Sequence, residues 1–159
     1  MSIFLAFIGA FLAAGSFGLL YNIRNRTDLF WAAINGGIGG MAYQIAINTG
    51  QTVAMASFCG ALAASVGGEI LARTRRKPVL IFDAPALIPL VPGGSVYRMM
   101  LALLREKIYE GLQYGLEGIM IAGMIVMAIS LVSGVTTMIF KAKHRLDRTK
   151  LAKTLKEKL

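Results

Sequence analysis

Residues 79–98 read V-L-I-F-D-A-P-A-L-I-P-L-V-P-G-G-S-V-Y-R, and most of the residues that could do chemistry in this chain lie there. A proline inside a helix removes one backbone hydrogen bond and clashes with the preceding turn. The residue before it is pushed out of the helical region. Pro85, Pro89 and Pro92, followed at once by Gly93 and Gly94, should therefore stop a helix. Counted from Pro78 at a polar edge, Val91 lies roughly 20 Å along an ideal helix. The break is then expected inside a hydrocarbon layer or at its outer third. Open backbone at that depth is tolerated where it is buried in protein or lines a wet cavity. Freed N–H groups at a half-helix start attract anionic groups, and freed carbonyls attract cations. Gly93 and Gly94 would let a ligand approach the backbone, and Ser95 is expected to cap a half-helix starting near Val96. No Lys-Ser/Thr pair follows the glycines, so this is not a phosphate-binding P-loop. The plainer alternative is a proline-kinked structural helix with no ligand.

Asp83 sits inside the same apolar run. An ionisable group at that depth costs about 2.5–3.5 kcal/mol unless it has a partner or water. It reads either as a proton or cation site, or as a group reaching the headgroups or pairing with Arg75 or Arg76. Glu69 has Arg73 one turn away and reads as a structural pair. Glu117 is a weaker candidate. Asn35, Gln44 and Ser57 could line a pathway, but such groups more often form interhelical hydrogen bonds. The chain has one Cys (Cys59) and one His (His144). A disulfide framework, a Cys/His zinc site and a Cys–His or Ser–His catalytic pair within the apolar region are thereby excluded. No metal, no cofactor and no enzymatic activity are expected.

These residues must be positioned by membrane helices. The 159 residues are 56% hydrophobic and 16% charged, with a mean hydropathy of +0.64. Soluble domains carry about 25% charged residues. Residues 3–21 hold no charge, which is roughly 28 Å of helix and enough to cross the hydrocarbon core. No basic segment precedes them, which argues against a signal peptide. Leu29–Ile47, Thr52–Leu71, Val79–Leu104 and a last segment from about Gly115 to Phe140 follow, so the expected fold is all-α with five transmembrane helices, the fourth broken. Residues 1–140 would be the membrane domain and 141–159 a basic tail. Small residues recur every fourth position: Ala10, Ala14, Gly18; Ala33, Gly37 with Gly36, Gly40; and Ala56, Gly60, Ala64, Gly68. They predict close helix–helix contacts, within the chain or toward a second copy.

The net charge of +9 suggests nucleic acid until its distribution is read. The tail 141–159 holds eight Lys/Arg and two acids, and the loops around Arg24–Arg26 and Arg73–Lys77 hold six more Lys/Arg. Five crossings with the N-terminus outside place all of these in the cytoplasm, as the positive-inside rule requires of a plasma-membrane protein. No nucleic-acid partner is expected. The tail sets Leu151, Leu155 and Leu159 on one basic-flanked stripe that could lie on anionic lipid.

The string Pro89-Leu90-Val91-Pro92-Gly93-Gly94, with Tyr97-Arg98 beyond it, resembles the signature of the threonine/serine exporter family. Tyr21-Asn22 before a basic loop, the Gly-rich second span, the Arg-rich loop and Glu117-Gly118 fall in the same order. The resemblance covers about residues 3–140 and is to the family's second membrane half, also found as a separate small subunit. It implies a five-helix subunit that exports small hydrophilic metabolites with a larger membrane subunit. Threonine, serine or a dicarboxylate such as succinate would be the solute and the proton-motive force the drive. It also implies that the Pro/Gly positions and Tyr97 belong to the functional motif. Asp83 and Ala86 stand where that pattern leads one to expect an apolar residue and a glycine. The chain shows no internal repeat and is small for a complete transporter, which also points to a partner or self-association. The competing reading is a structural or regulatory membrane protein whose break binds a partner helix without solute flux.

Overall fold

A computed structural model describes residues 2–157, with side chains described for residues 2–139. The described residues form helices and no strand: α1 (Ile3–Leu20), α2 (Arg26–Asn48), α3 (Val53–Arg75), α4 (Leu80–Leu87), a 3-10 turn (Ile88–Leu90), α5 (Gly93–Leu104) and α6 (Ile108–Glu157). Local chemistry sets the ends. Ser2, Asn25 and Thr52 each stand just before a helix, and each side-chain oxygen accepts a bond from a first-turn N–H. Such caps satisfy donors that the helix itself leaves open. α3 ends where Arg76 turns left-handed at φ 53°.

α1 packs on α2, α2 on α3, α3 on α6 and α6 on α5, while α4 sits against α2 and touches α1 and α3. Small residues make these contacts. The buried stripe of α1 is Ala6, Ala10, Ala14 and Gly18. Gly36 and Gly40 of α2 meet Ala14 and Ala10 across that seam. On the other side of α2, Gly39 meets Gly60 and Ala64 of α3. The four-residue ladders of the sequence are therefore interfaces within the chain. Backbones approach closely there, which is how helices associate without a hydrophobic drive in lipid. The outward face of α6 is large and apolar, with Ile119, Met127, Leu131 and Ile139 all exposed.

Three helices are long and apolar enough to cross a membrane: Ile3–Leu20, Val53–Arg75 and Ile108–Ile139. The bent pair Leu80–Leu90 with Gly93–Leu104 would make four. The sequence reading counted five, and the difference is α2. Its 23 residues reach roughly 34 Å, but Asp28, Asn35, Gln44 and its glycines lower its hydropathy. These polar residues are buried against α1, α3 and α4 rather than turned to lipid. α6 begins at Ile108 rather than near Gly115 and continues past residue 140 as helix. The side chains of the basic tail, including His144, Leu151, Leu155 and Leu159, lie outside the described residues.

The seams make a direct prediction. A Cβ on Gly60 would stand 2.9 Å from the Gly39 carbonyl oxygen and 2.9 Å from Leu90. Gly60→Ala should destabilise the protein by about 1–3 kcal/mol, the usual cost of overpacking. Gly123 has nothing within 4 Å, so Gly123→Ala should be neutral or gain up to ~1 kcal/mol of helix propensity. Thermal unfolding of both variants in lipid nanodiscs checks the pair, and equal effects would contradict the assigned seam.

Candidate functional site

The chain is interrupted between α4 and α5. Val91 is extended (φ −59°, ψ 138°), Pro92 lies outside the helical region (φ −73°, ψ 45°), and the two helices are bent by 43°. Gly93 N–H donates to the Val91 carbonyl at 2.7 Å, and Val96 N–H donates to the Pro92 carbonyl at 3.1 Å. α5 therefore starts at Gly93, not near Val96, and no side chain caps it. Ser95 is not the cap expected from sequence. It lies in the first turn of α5 and is buried. The reason is Pro92, whose fixed φ already suits a helix start.

A cavity of about 260 Å³ opens at this break. Its polar lining is Tyr43 from α2, Ser57 from α3, Ser95 and Arg98 from α5, and Glu117 from α6, with Pro89, Pro92 and Gly94 supplying backbone. The α5–α6 hairpin positions the two charges. Gly111 meets Leu103, Gly115 meets Met99 and Gly118 lies 3.8 Å from Ser95 by its would-be Cβ. These glycines let α6 lie close along α5, which brings Glu117 to the cavity that Arg98 lines. The Arg98 guanidinium lies 6.0 Å from the Tyr114 ring centroid, at the edge of cation–π range. Neither Arg98 nor Glu117 forms an ion pair among the described residues. One cation and one anion thus face the same small space without closing on each other.

The other sequence candidates divide. Pro89, Pro92, Gly94 and Ser95 line this cavity, and Gly93 begins the helix beside it. Tyr97 is 67% exposed and does not line it. Pro85 is buried in α4 and faces Gly18 of α1. Asn35 is a helix tie: its Nδ2 donates to the Ala64 carbonyl at 2.9 Å and to the Phe82 carbonyl at 3.4 Å. Gln44 Nε2 donates to Asn48 Oδ1 at 2.9 Å and borders a second, mostly apolar cavity between α1 and α2, which also reaches Pro89. Asp83 lines a third cavity with Ser65 and Glu69. It pairs with neither arginine suggested by sequence: Arg75 reaches Asp28 at 3.6 Å, while Glu69 pairs with Arg73 at 3.0 Å. Sequence reasoning undervalued Arg98 and Glu117. Their signals were an arginine within two turns of the break and an acid next to a glycine near a span end. Among the described residues no three His, Cys, Asp or Glu side chains gather as metal ligands.

A family model described as "Threonine/Serine exporter, ThrE" matches residues 6–135, which takes in most of α1, all of α2 to α5 and most of the apolar part of α6. The chain belongs to the threonine/serine exporter family and is a multi-pass membrane protein. No solved structure matches it.

Proposed function

We propose that this member of the threonine/serine exporter family is the small subunit of a two-component secondary exporter, and that the cavity at the α4–α5 break holds an amino-acid zwitterion. The observation that carries this is that Arg98 and Glu117, unpaired with each other, line one 260 Å³ space. A solute carboxylate would lie toward Arg98 and the uncapped first turn of α5, where N–H groups and the helix dipole favour an anion. Its ammonium would lie toward Glu117. Ser57, Ser95 and Tyr43 offer hydroxyls to a side-chain hydroxyl such as that of serine or threonine. The volume is below the roughly 300–1,000 Å³ of sites for drug-sized ligands, which suits a small metabolite. A dicarboxylate fits this arrangement less well, because its second carboxylate would meet Glu117.

Counting α2 and the bent pair as crossings gives five spans, with the N-terminus outside and the tail 141–159 on the cytoplasmic face of the plasma membrane. Residues 1–140 are then the transport domain. The concentration of Lys/Arg at one end of the helices and in the tail supports this orientation. A larger membrane subunit would complete the pathway, and the basic tail would rest on anionic lipid. The proton-motive force implied by the family resemblance would drive export.

The test is efflux from dipeptide-fed cells that lack their own exporters. This chain would be expressed alone and together with a large subunit of the family. Serine, threonine and succinate in the medium would be followed with time. Export of the amino acids with both chains is expected. No export of any of the three, with both chains in the membrane, would favour a structural role instead.

A further inference from the structure

A groove of about 510 Å³ runs between α1 and α2. Its floor is small: Gly15 and the buried Ala33, whose Cβ lies 3.5 Å from where a Cβ on Gly15 would stand. Its walls are Leu12 and Leu19 of α1 and Phe30 of α2, all exposed. Phe11 closes the end far from the α1–α2 loop, edge to face with Phe30 at 6.1 Å. The one charged side chain among its described lining residues is Arg26, the first residue of α2. The Ser16 hydroxyl donates back to the Leu12 carbonyl at 2.8 Å, so it gives the groove little polarity. The groove thus has a cationic mouth and an apolar throat. From Leu19 to Phe11 it runs roughly 12 Å along α1. One leaflet is half of a hydrocarbon core about 30 Å thick, so the groove has the depth of a single lipid. A crossing partner helix would need a longer track and an acid to meet Arg26. The next cavity along α1, lined by Leu5, Gly9 and Ala13, opens on another face of the helix.

We infer that this groove seats an anionic phospholipid, its phosphate at Arg26 and Arg24 and one acyl chain over Gly15 between Leu12, Leu19 and Phe30. Charge selects the headgroup. Arg24 and Arg26 are exposed, and neither forms an ion pair among the described residues. The nearby acid, Asp28, is buried and faces Arg75 at 3.6 Å. The start of α2 adds the positive end of its helix dipole. Tyr21 and Trp31 stand exposed on either side of the two arginines in the chain, as aromatic rings do where headgroups meet acyl chains. The site lies on the helices and is separate from the basic tail. The orientation proposed above puts it in the cytoplasmic leaflet, which carries anionic lipid. The chemistry of the groove depends neither on that orientation nor on solute flux.

The chain carries its own reporter. Trp31 is its one tryptophan, and the Trp31 ring lies 6.4 Å from that of Phe30 on the groove wall. The full chain is placed in nanodiscs of phosphatidylcholine and phosphatidylglycerol, with bromine on the acyl chains of one lipid at a time, and Trp31 fluorescence is read. Brominated phosphatidylglycerol should quench several-fold more effectively than brominated phosphatidylcholine at the same mole fraction. One basic residue at a membrane surface is equivalent to roughly fivefold in affinity, so Arg26→Gln should cut the preference about fivefold. Lys77 is exposed and does not line the groove, so Lys77→Gln should leave the preference largely as it was. Gly15→Leu fills the floor and should abolish it, while Gly123→Leu, at a position with open space, should keep it. Equal quenching by the two lipids would overturn the site. So would equal losses in Arg26→Gln and Lys77→Gln, which would show diffuse surface charge, or an unchanged preference in Gly15→Leu. Shielding of Trp31 from both lipids would place a second copy of the chain in the groove and overturn it too. Arg26 is exposed, so its variant decides the matter even if Gly15→Leu does not fold.

Discussion

Arg98→Ala should weaken the apparent affinity of the proposed two-chain exporter for L-threonine by roughly 10- to 100-fold. A hydrogen bond to a charged group contributes about 1.5–3 kcal/mol, and each 1.4 kcal/mol is tenfold. Arg98→Lys keeps the charge but loses the planar fork that matches a carboxylate, so it should recover only part of the loss. Glu117→Gln makes the sharper comparison. It should weaken L-threonine export by a similar factor and leave succinate transport, if any, unchanged or improved, because a repulsive carboxylate is removed. Concentration-dependent efflux with matched membrane levels of each variant checks both. If Glu117→Gln changed L-threonine and succinate alike, the two charges would not be reading opposite ends of the solute.

Gly68→Ala should be among the most damaging single-methyl changes in the chain. The new Cβ would fall on Asp83 Oδ1, which is buried and has no hydrogen-bond partner among the described residues. Overpacking of this kind costs about 1–3 kcal/mol. Here it also forces an ionisable side chain off its seat at membrane depth. The cause can be separated from a general intolerance of α3. Asp83→Ala removes the obstructing carboxylate, so the double variant Gly68→Ala/Asp83→Ala should be more stable than the sum of the two single effects. Unfolding midpoints in nanodiscs give the coupling, and neighbours in contact typically couple by 0.5–3 kcal/mol. Strict additivity would contradict the contact between Gly68 and Asp83.

Much of the fold was legible in the sequence. The small-residue ladders Ala10-Ala14-Gly18 and Ala56-Gly60-Ala64-Gly68 are buried faces of α1 and α3, because a period of four on a helix can serve only one face. The Glu69–Arg73 pair followed from spacing alone. α2 was harder to count, since hydropathy tests a helix against lipid and α2 faces protein on most sides. The misplaced start of α5 has a similar origin. Ser95 has the side chain of a cap, but the φ of Pro92 starts the helix three residues earlier. Arg98 and Glu117 were not legible as a site. Their nearness depends on Gly111, Gly115 and Gly118 drawing α6 along α5, a tertiary fact that no local motif carries. Asp83 was conspicuous as a lone acid, yet only packing against Gly68 tells that it is seated away from Arg75.

A zwitterion in the cavity at the break, as proposed, needs both of the solute's charges. The most direct measurement is competition for export of labelled L-threonine by molecules that lack one of its charges. Unlabelled L-threonine and L-serine should compete. Threonine amide, which lacks the carboxylate, N-acetyl-threonine, which lacks the ammonium, and succinate should compete at least about tenfold less well, since each loses a charge-assisted contact. Equal competition by succinate and L-serine would contradict the account.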